Sequence, residues 1–431
     1  MNNNSVLNEL KTYRDQTFSA SYRNVRGREI KNSPLKFFSV FKVFERLSNK
    51  LFLEFKKRAL VSEFNGTNPF KETKDKLYLA IRITGGIGDV VCVARWINQV
   101  KQRLGASVVI DVFFTSPELT RFILLSAGVR GVFSDLIFRR VSLGYDVYLI
   151  ANQFITPYGF EFNYQRIVTI APNFVAFLNN IIESQLPYQR HIDHHPRLDG
   201  LFADVVVANG LNRKDFLSVI SGFDRPDTFL PIELPDIDFL EKIGLNNCQY
   251  MTIHDGWDAN FRISVDRPTK SFPIDKFTDT VALIKQRYPQ VKIVQLGGST
   301  GEDIAGVDVN LRGKISFEQS ALILKQALAH IDTESGLVHL ATTLGTPCIV
   351  IFGPTNFDYY SYQENYNIKP RECGNCMWVT DTWMESCPLQ YKKPNCTESI
   401  TPTDILTEVI KMFDSRRLPL VSIDDKYINR V

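Results

Sequence analysis

Asp332-Thr333-Glu334-Ser335-Gly336-Leu337-Val338-His339-Leu340-Ala341, followed by Leu344-Gly345-Thr346-Pro347 and the apolar run Cys348 to Phe352, is the most chemically suggestive stretch of this chain. It reads as a polar turn, one short helix opening at a glycine, and a buried strand. A helix that opens with Ser-Gly leaves its first N–H groups unpaired at the positive end of the macrodipole, a setting that suits phosphate or diphosphate. His339 shares a helix face with Ser335 and Gly336 by its spacing of four and three residues. Packing and orientation of a ligand are both open to it.

A second stretch, Thr84-Gly85-Gly86-Ile87-Gly88-Asp89-Val90, lies between a strand-like run and a helix-like run. Asp111 follows about 20 residues on, as a dinucleotide fingerprint would ask, but Val91 stands where its last glycine belongs and Asp111 sits inside its own strand. The other reading gives Asp89 the leading part, as a carboxylate at the carboxyl end of a strand, where open α/β sheets bind ligands. A helix cap is the structural alternative. The third stretch, Arg267-Pro268-Thr269-Lys270-Ser271-Phe272-Pro273, puts Lys270 just before a helix, within reach of a phosphate or simply in solvent. Four of the seven cysteines, Cys373, Cys376, Cys387 and Cys396, have the spacing C-x2-C-x10-C-x8-C, which allows either a tetrahedral thiolate site for zinc or iron or reduced thiols packed in a loop.

Two runs of alternating elements position these residues. The first holds strands Leu77 to Ile83, Val108 to Phe114 and Val147 to Ile150 with helices between. The second runs from strand Tyr250 to His254 through helix Pro273 to Tyr288, strand Val291 to Leu296, helix Phe317 to Leu328, strand Ala329 to Asp332, helix Gly336 to Leu344 and strand Cys348 to Phe352, with a last helix from Pro402 to Phe413. Alternation of this kind predicts parallel sheets covered by helices. A chain of 431 residues, 44% hydrophobic, is long enough for two such cores. The expected organisation is a basic, mainly helical extension over 1–75, a Rossmann-like domain over 76–245, and a second over 246–431 that contains the cysteine loop 373–396. Residues 155–240 show no clear period and are placed with the first domain.

Residues 1–60 carry thirteen Lys or Arg against five Asp or Glu, so the remainder is net acidic. Such an arm suits an anionic membrane surface, an acidic acceptor or a solvated helix face. Within it Phe41, Phe44, Leu47, Leu51, Phe55 and Ala59 recur at helical spacing, and a helix docked on its own protein is the simpler expectation. No apolar run reaches the roughly 18 residues of a spanning helix, and the N-terminus lacks the charged and apolar segments of a signal peptide. A cytoplasmic location is expected, in keeping with an odd cysteine count. Asp236-Ile237-Asp238 lies in a Pro-rich linker and reads as structural rather than as a metal triplet.

The three stretches together resemble glycosyltransferase family 9, the heptosyltransferases of bacterial surface polysaccharide assembly. The family's Gly-Asp after the first strand stands here as Gly88-Asp89, its Lys-Trp-Pro element as Lys270-Ser271-Phe272-Pro273, and its Asp-Ser/Thr-Gly-x-x-His-Leu-Ala element as Glu334 to Ala341; Leu344 to Pro347 and Phe352-Gly353-Pro354-Thr355 match as well. Glu334 replaces the usual Asp, and Phe272 the usual Trp. The similarity spans residues 77 to 413.

This resemblance implies a GT-B arrangement, two doubly wound domains facing across a cleft, and inverting transfer of a sugar from a nucleotide diphosphate to a hydroxyl. Asp89 would be the catalytic base. Lys270, Glu302, Glu334, Ser335, Gly336 and His339 would bind the donor, with Glu302 at the ribose and Glu334 at sugar hydroxyls. Catalysis would need no cofactor, and a metal at the cysteine cluster would be structural. ADP-heptose is the favoured donor and a lipid-linked or other surface glycan the acceptor, with peripheral contact at the inner membrane and no nucleic acid partner. Rival readings are a nucleotide-sugar epimerase on the same scaffold, a dinucleotide-dependent oxidoreductase, and a protein-glycosylating relative.

Overall fold

A computed structural model describes residues 40–67, 70, 75–158, 164–235, 238–256 and 267–416. Most of the basic arm, part of the linker after Gly66, and Asp236-Ile237 lie outside the described residues.

The first sheet contains β1 (Leu77–Ile83), β2 (Val108–Phe114), β3 (Gly131–Ser134), β4 (Val147–Ala151) and β5 (Ile155–Pro157), in the order β3-β2-β1-β4-β5. All neighbours are parallel except β4 and β5. Central β1 is apolar almost without interruption because both its faces are covered, as a parallel strand requires. Leu77, Leu79, Ile81 and Ile83 face the large core that includes Val90, Val93 and Ile97 of α2 (Ile87–Leu104). Tyr78 and Ala80 join the smaller core that takes in Phe64 of α1 (Val40–Gly66).

Among the described residues of α1, those of its C-terminal end are docked. Leu60, Val61 and Phe64 pack on the sheet, while Leu51, Phe52 and Phe55 are 68%, 71% and 75% exposed. The expectation that the Leu51/Phe55 stripe lies against its own protein is therefore wrong for the described residues. The face that docks is the neighbouring one.

After β5 the chain is almost wholly helical: α4 (Tyr164–Ile170), α5 (Pro172–Gln185), α6 (Asp199–Ala208) and α7 (Arg213–Ile220) follow α3 (Pro117–Ser126) in the numbering used here. Phe154, Phe202 and Phe216 pack edge to face and tilted, with centroids 4.5 Å apart for the first pair and 4.9 Å for the second, fixing α6 and α7 to the end of the first sheet. Among the described residues no single helix is long and apolar enough to cross a membrane.

The second sheet is parallel throughout, in the order β11-β10-β9-β6-β7-β8, from β6 (Tyr250–His254), β7 (Lys292–Leu296), β8 (Val309–Asn310), β9 (His330–Thr333), β10 (Cys348–Ile351) and β11 (Tyr366–Ile368). One face is covered by α8 (Ile274–Arg287) and α12 (Pro402–Arg416), and the other by α9 (Phe317–Gln326) and α10 (Gly336–Thr343), with the one-turn α11 (Phe357–Tyr360) following β10. The strand order reverses between β1 and β4 in the first sheet and between β6 and β9 in the second. Crevices at the carboxyl ends of such strands are where open sheets bind ligands.

Candidate active site

The two crevices meet. Helix α2 begins just after β1 and α10 just after β9, and their N-termini abut so closely that a Cβ on Gly336 would lie 3.0 Å from the Cβ of Ile87. A Cβ on Gly88 would lie 2.6 Å from His339 Cδ2, so residue 88 must lack a side chain for the two helices to close. Two positive helix ends are thus brought to one place. Gly85 turns the chain with φ of +100°, and a Cβ there would collide with the Asp89 carboxylate at 2.2 Å.

Asp89 is held at both oxygens. Oδ2 accepts from the Gly86 N–H at 3.0 Å, so the carboxylate does cap its own helix, and Oδ1 accepts from Arg213 Nη2 at 2.9 Å. That same Nη2 donates to the Asn152 carbonyl at 3.1 Å, where β4 ends. Arg213, the first residue of α7, is 2% exposed, and its Nη1 has no hydrogen-bond partner among the described residues. Beside it Cys92 is buried on α2; burial pushes its thiol up, but Arg213 and His339 outweigh that and bring it down to about 6.

The opposite wall is built on Asp332. Fully buried at the end of β9, it accepts from His254 Nδ1 at 3.0 Å, from the Thr333 N–H at 2.7 Å and from the Ser335 hydroxyl. Burial alone would raise its carboxyl, yet His254 and His330 hold it well below the carboxylate range. Burial likewise opposes charge on His254, and Asp332 and Asp255 raise it regardless. Ser335 Oγ accepts in turn from the Leu337 N–H at 3.1 Å, so this serine caps α10 and occupies one of its first amides.

Glu334 lies between two cations, Lys270 Nζ at 2.8 Å and His339 Nε2 at 3.3 Å. Its burial works against the charge, but Lys270 and His339 bring the carboxyl down to about 2. His339 Nδ1 is 2.6 Å from the Tyr362 hydroxyl, and despite burial, Tyr362, Cys92 and Glu334 hold the ring well above the usual histidine value. Tyr362 also accepts from Arg95 Nη1 of α2 at 2.9 Å. A polar chain therefore runs from Lys270 through Glu334, His339 and Tyr362 to Arg95, from the second half of the molecule into the first.

Lys270 is positioned by its loop. Thr269 donates its N–H to Met384 O at 2.9 Å and its hydroxyl to Trp383 O at 2.6 Å, while Phe272 packs edge-on against Phe277 with centroids 4.9 Å apart. Glu302 stands one strand farther out, exposed beyond β7, with its N–H donated to Asp255 Oδ2 at 2.8 Å. The structure thus gathers Asp89, Lys270, Glu334, Ser335, Gly336 and His339, with Glu302 at the rim. Sequence reasoning gave no role to Arg213, Cys92, Arg95, Tyr362 or Asp332. Only Asp332 carried a signal, as the buried acid that precedes the Glu-Ser-Gly turn.

Asp111, which the dinucleotide reading needed at a ribose, is fully buried and engaged by Arg130 and by the Tyr145 hydroxyl at 2.7 Å. That reading fails. The cysteine spacing also does not deliver a metal site: among the described residues no group of three or more His, Cys, Asp or Glu side chains is arranged to hold an ion. The loop is tied to the segment after β10 by the Cys376 N–H donated to Pro354 O at 2.8 Å, and turns on itself where the Gln390 N–H donates to Cys387 O at 2.8 Å. Burial and the neighbouring sulfurs push the Cys376 thiol up to about 11 and that of Cys396 to about 12.

Part of this chain is similar to proteins of known family. Residues 259–387 match the family model described as glycosyltransferase family 9 (heptosyltransferase). Lipooligosaccharide heptosyltransferase 2 of Campylobacter jejuni is 31% identical over 86 residues, which make up 19% of this chain and 25% of that protein. The chain thus spans about a quarter of the length of the curated relative it matches. The crystal structure of the glycosyl transferase family 9 from Veillonella parvula shares the fold, with a TM-score of 0.51 at 13% identity over 80% of this chain and 99% of that one. The structure of E. coli ADP-heptose lps heptosyltransferase II gives a TM-score of 0.49 at 12% identity, over 79% and 100%. The family 9 resemblance expected from the motifs is borne out over residues 259–387, and the GT-B class is borne out by the fold.

Proposed function

We propose that this family 9 chain is an inverting, metal-independent glycosyltransferase that moves heptose or a related sugar from a nucleotide diphosphate, ADP-heptose foremost, to a hydroxyl of lipopolysaccharide or another surface glycan. One observation carries the reading: the Asp89 carboxylate and the cationic set of Lys270, His339 and two helix N-termini meet at one seam between the halves. A sugar hydroxyl is a weak nucleophile. Asp89 takes its proton as the oxygen bonds to the anomeric carbon, and the bond from that carbon to the diphosphate oxygen breaks on the opposite face, the electron pair leaving with the diphosphate. Each Asp89 oxygen keeps a second lone pair for this task beyond its present hydrogen bond. The charge that gathers on the leaving group is met by Lys270, the α10 amides and His339, which together take the part a divalent ion has in other transferases. Glu334 then exchanges its bond from Lys270 for sugar hydroxyls. A cytoplasmic site at the inner face of a membrane, with a lipid-linked acceptor, goes with this reading.

The test is a thermal-shift screen against ADP-, UDP-, GDP- and CDP-linked sugars, followed by transfer assays with and without an acceptor glycan. Asp89→Ala is expected to keep donor binding and to lose about 10² to 10⁴ in turnover, the usual size of a general base contribution. Retained turnover would remove Asp89 from the mechanism. Product formed without an acceptor would favour the epimerase.

A further inference from the structure

Helix α1 carries two apolar faces, and the core uses one. Leu60, Val61 and Phe64 dock its last turns on the first sheet, whereas Leu51, Phe52 and Phe55 form a separate cluster one to two turns earlier with more than two thirds of each side chain in water. In the sequence, apolar residues continue at helical spacing towards the N-terminus, at Leu47, Phe44 and Phe41. Around it the described stretch 49–62 carries Lys50, Lys56, Lys57 and Arg58 against Glu54 alone. Glu54 is already neutralised by Lys57 at 2.9 Å and by Arg140, whose neighbours Arg139 and Leu143 are also exposed.

We infer that this face of α1 lies on an anionic lipid bilayer and seats the first half of the molecule there. Phenylalanine and leucine flanked by lysine and arginine is the composition of a helix that rests in the headgroup region, its apolar side chains buried among acyl chains and its cations against lipid phosphates. Charge chooses the occupant. A second copy would bring the same basic surface against itself, and the thirteen Lys or Arg of residues 1–60 against five Asp or Glu add to that repulsion while attracting an anionic surface. The inference stands on this surface alone and does not depend on sugar transfer.

The experiment is co-sedimentation of the full chain with vesicles of phosphatidylcholine alone and of phosphatidylcholine containing phosphatidylglycerol. The expected result is binding to the anionic vesicles that falls as salt rises, and that weakens at least about tenfold in the triple variant Leu51→Ser, Phe52→Ser, Phe55→Ser. Because these side chains are exposed, the variant should keep the wild-type melting temperature and response to nucleotide sugars. Absence of vesicle binding by the wild type, or equal binding by the variant, would overturn the inference. So would a concentration-dependent dimer that the variant fails to form, since a second copy would then cover the face, or binding that survives the triple substitution and disappears on removal of residues 1–39.

Discussion

As the proposed base, Asp89 would meet its substrate already restrained, and the residue that restrains it comes from 124 positions away. Arg213 fixes one carboxylate oxygen and the Gly86 N–H the other, so the remaining lone pairs are aimed before an acceptor arrives. Arg213→Gln should therefore lower kcat about 10- to 100-fold while leaving the donor KM nearly unchanged, and Arg213→Lys should recover part of the loss. Steady-state kinetics of both variants decides the matter; an equal loss of donor binding in the two would mean that Arg213 only supports the fold. The motifs exposed Asp89, Lys270 and the Glu334 to His339 run because each sits in a short loop-to-helix pattern of recognisable chemistry. Arg213 had no such mark. It opens a plain amphipathic helix, and its partnership with Asp89 exists only once α7 is folded against the ends of β1 and β4.

Elements were legible where the chain alternates. Parallel strands buried on both faces must be short apolar runs, and β1, β2 and β6 begin and end where those runs do. Residues 164–220 were not, because five helices follow one another with no strand to reset the period, and the aromatic contacts that fix them lie between helices rather than along one. Helix α1 misled for a related reason: hydrophobic spacing shows that a helix has an apolar stripe but not which of two stripes the core accepts. The abutment of α2 and α10 gives a prediction at this scale. Gly88→Ala puts a methyl where the His339 ring now lies, forcing the ring or the helix ends apart. The expected cost is about 1 to 3 kcal/mol of stability, as for other overpacked sites, together with weaker binding of nucleotide sugar. Denaturant midpoints and thermal shifts measure the two effects, and a variant matching the wild type in both would show that the seam has slack.

Across the whole molecule the halves are joined by charge as well as by the apolar core that runs through both. The chain Lys270, Glu334, His339, Tyr362, Arg95 passes through the seam, so its protonation state bears on how firmly the halves close. Glu334 has an ordinary value of 4.5 and is depressed to about 2 in the folded chain. A depressed carboxyl contributes stability that is complete above its unfolded value and is lost as pH falls through its folded one, here between 4.5 and about 2. His339 is shifted upward, so its contribution is complete below its ordinary value of 6.5 and erodes as pH rises through the raised one. Glu334→Gln should then cost on the order of 3 kcal/mol at neutral pH, with the gap from the wild type narrowing as the pH drops below that of an ordinary glutamate. His339→Gln should show its gap narrowing in the alkaline direction instead. Melting temperatures of the three proteins across pH test this directly. A Glu334→Gln deficit that stays constant down the acid limb would mean that the carboxylate serves packing rather than its electrostatic link to Lys270 and His339.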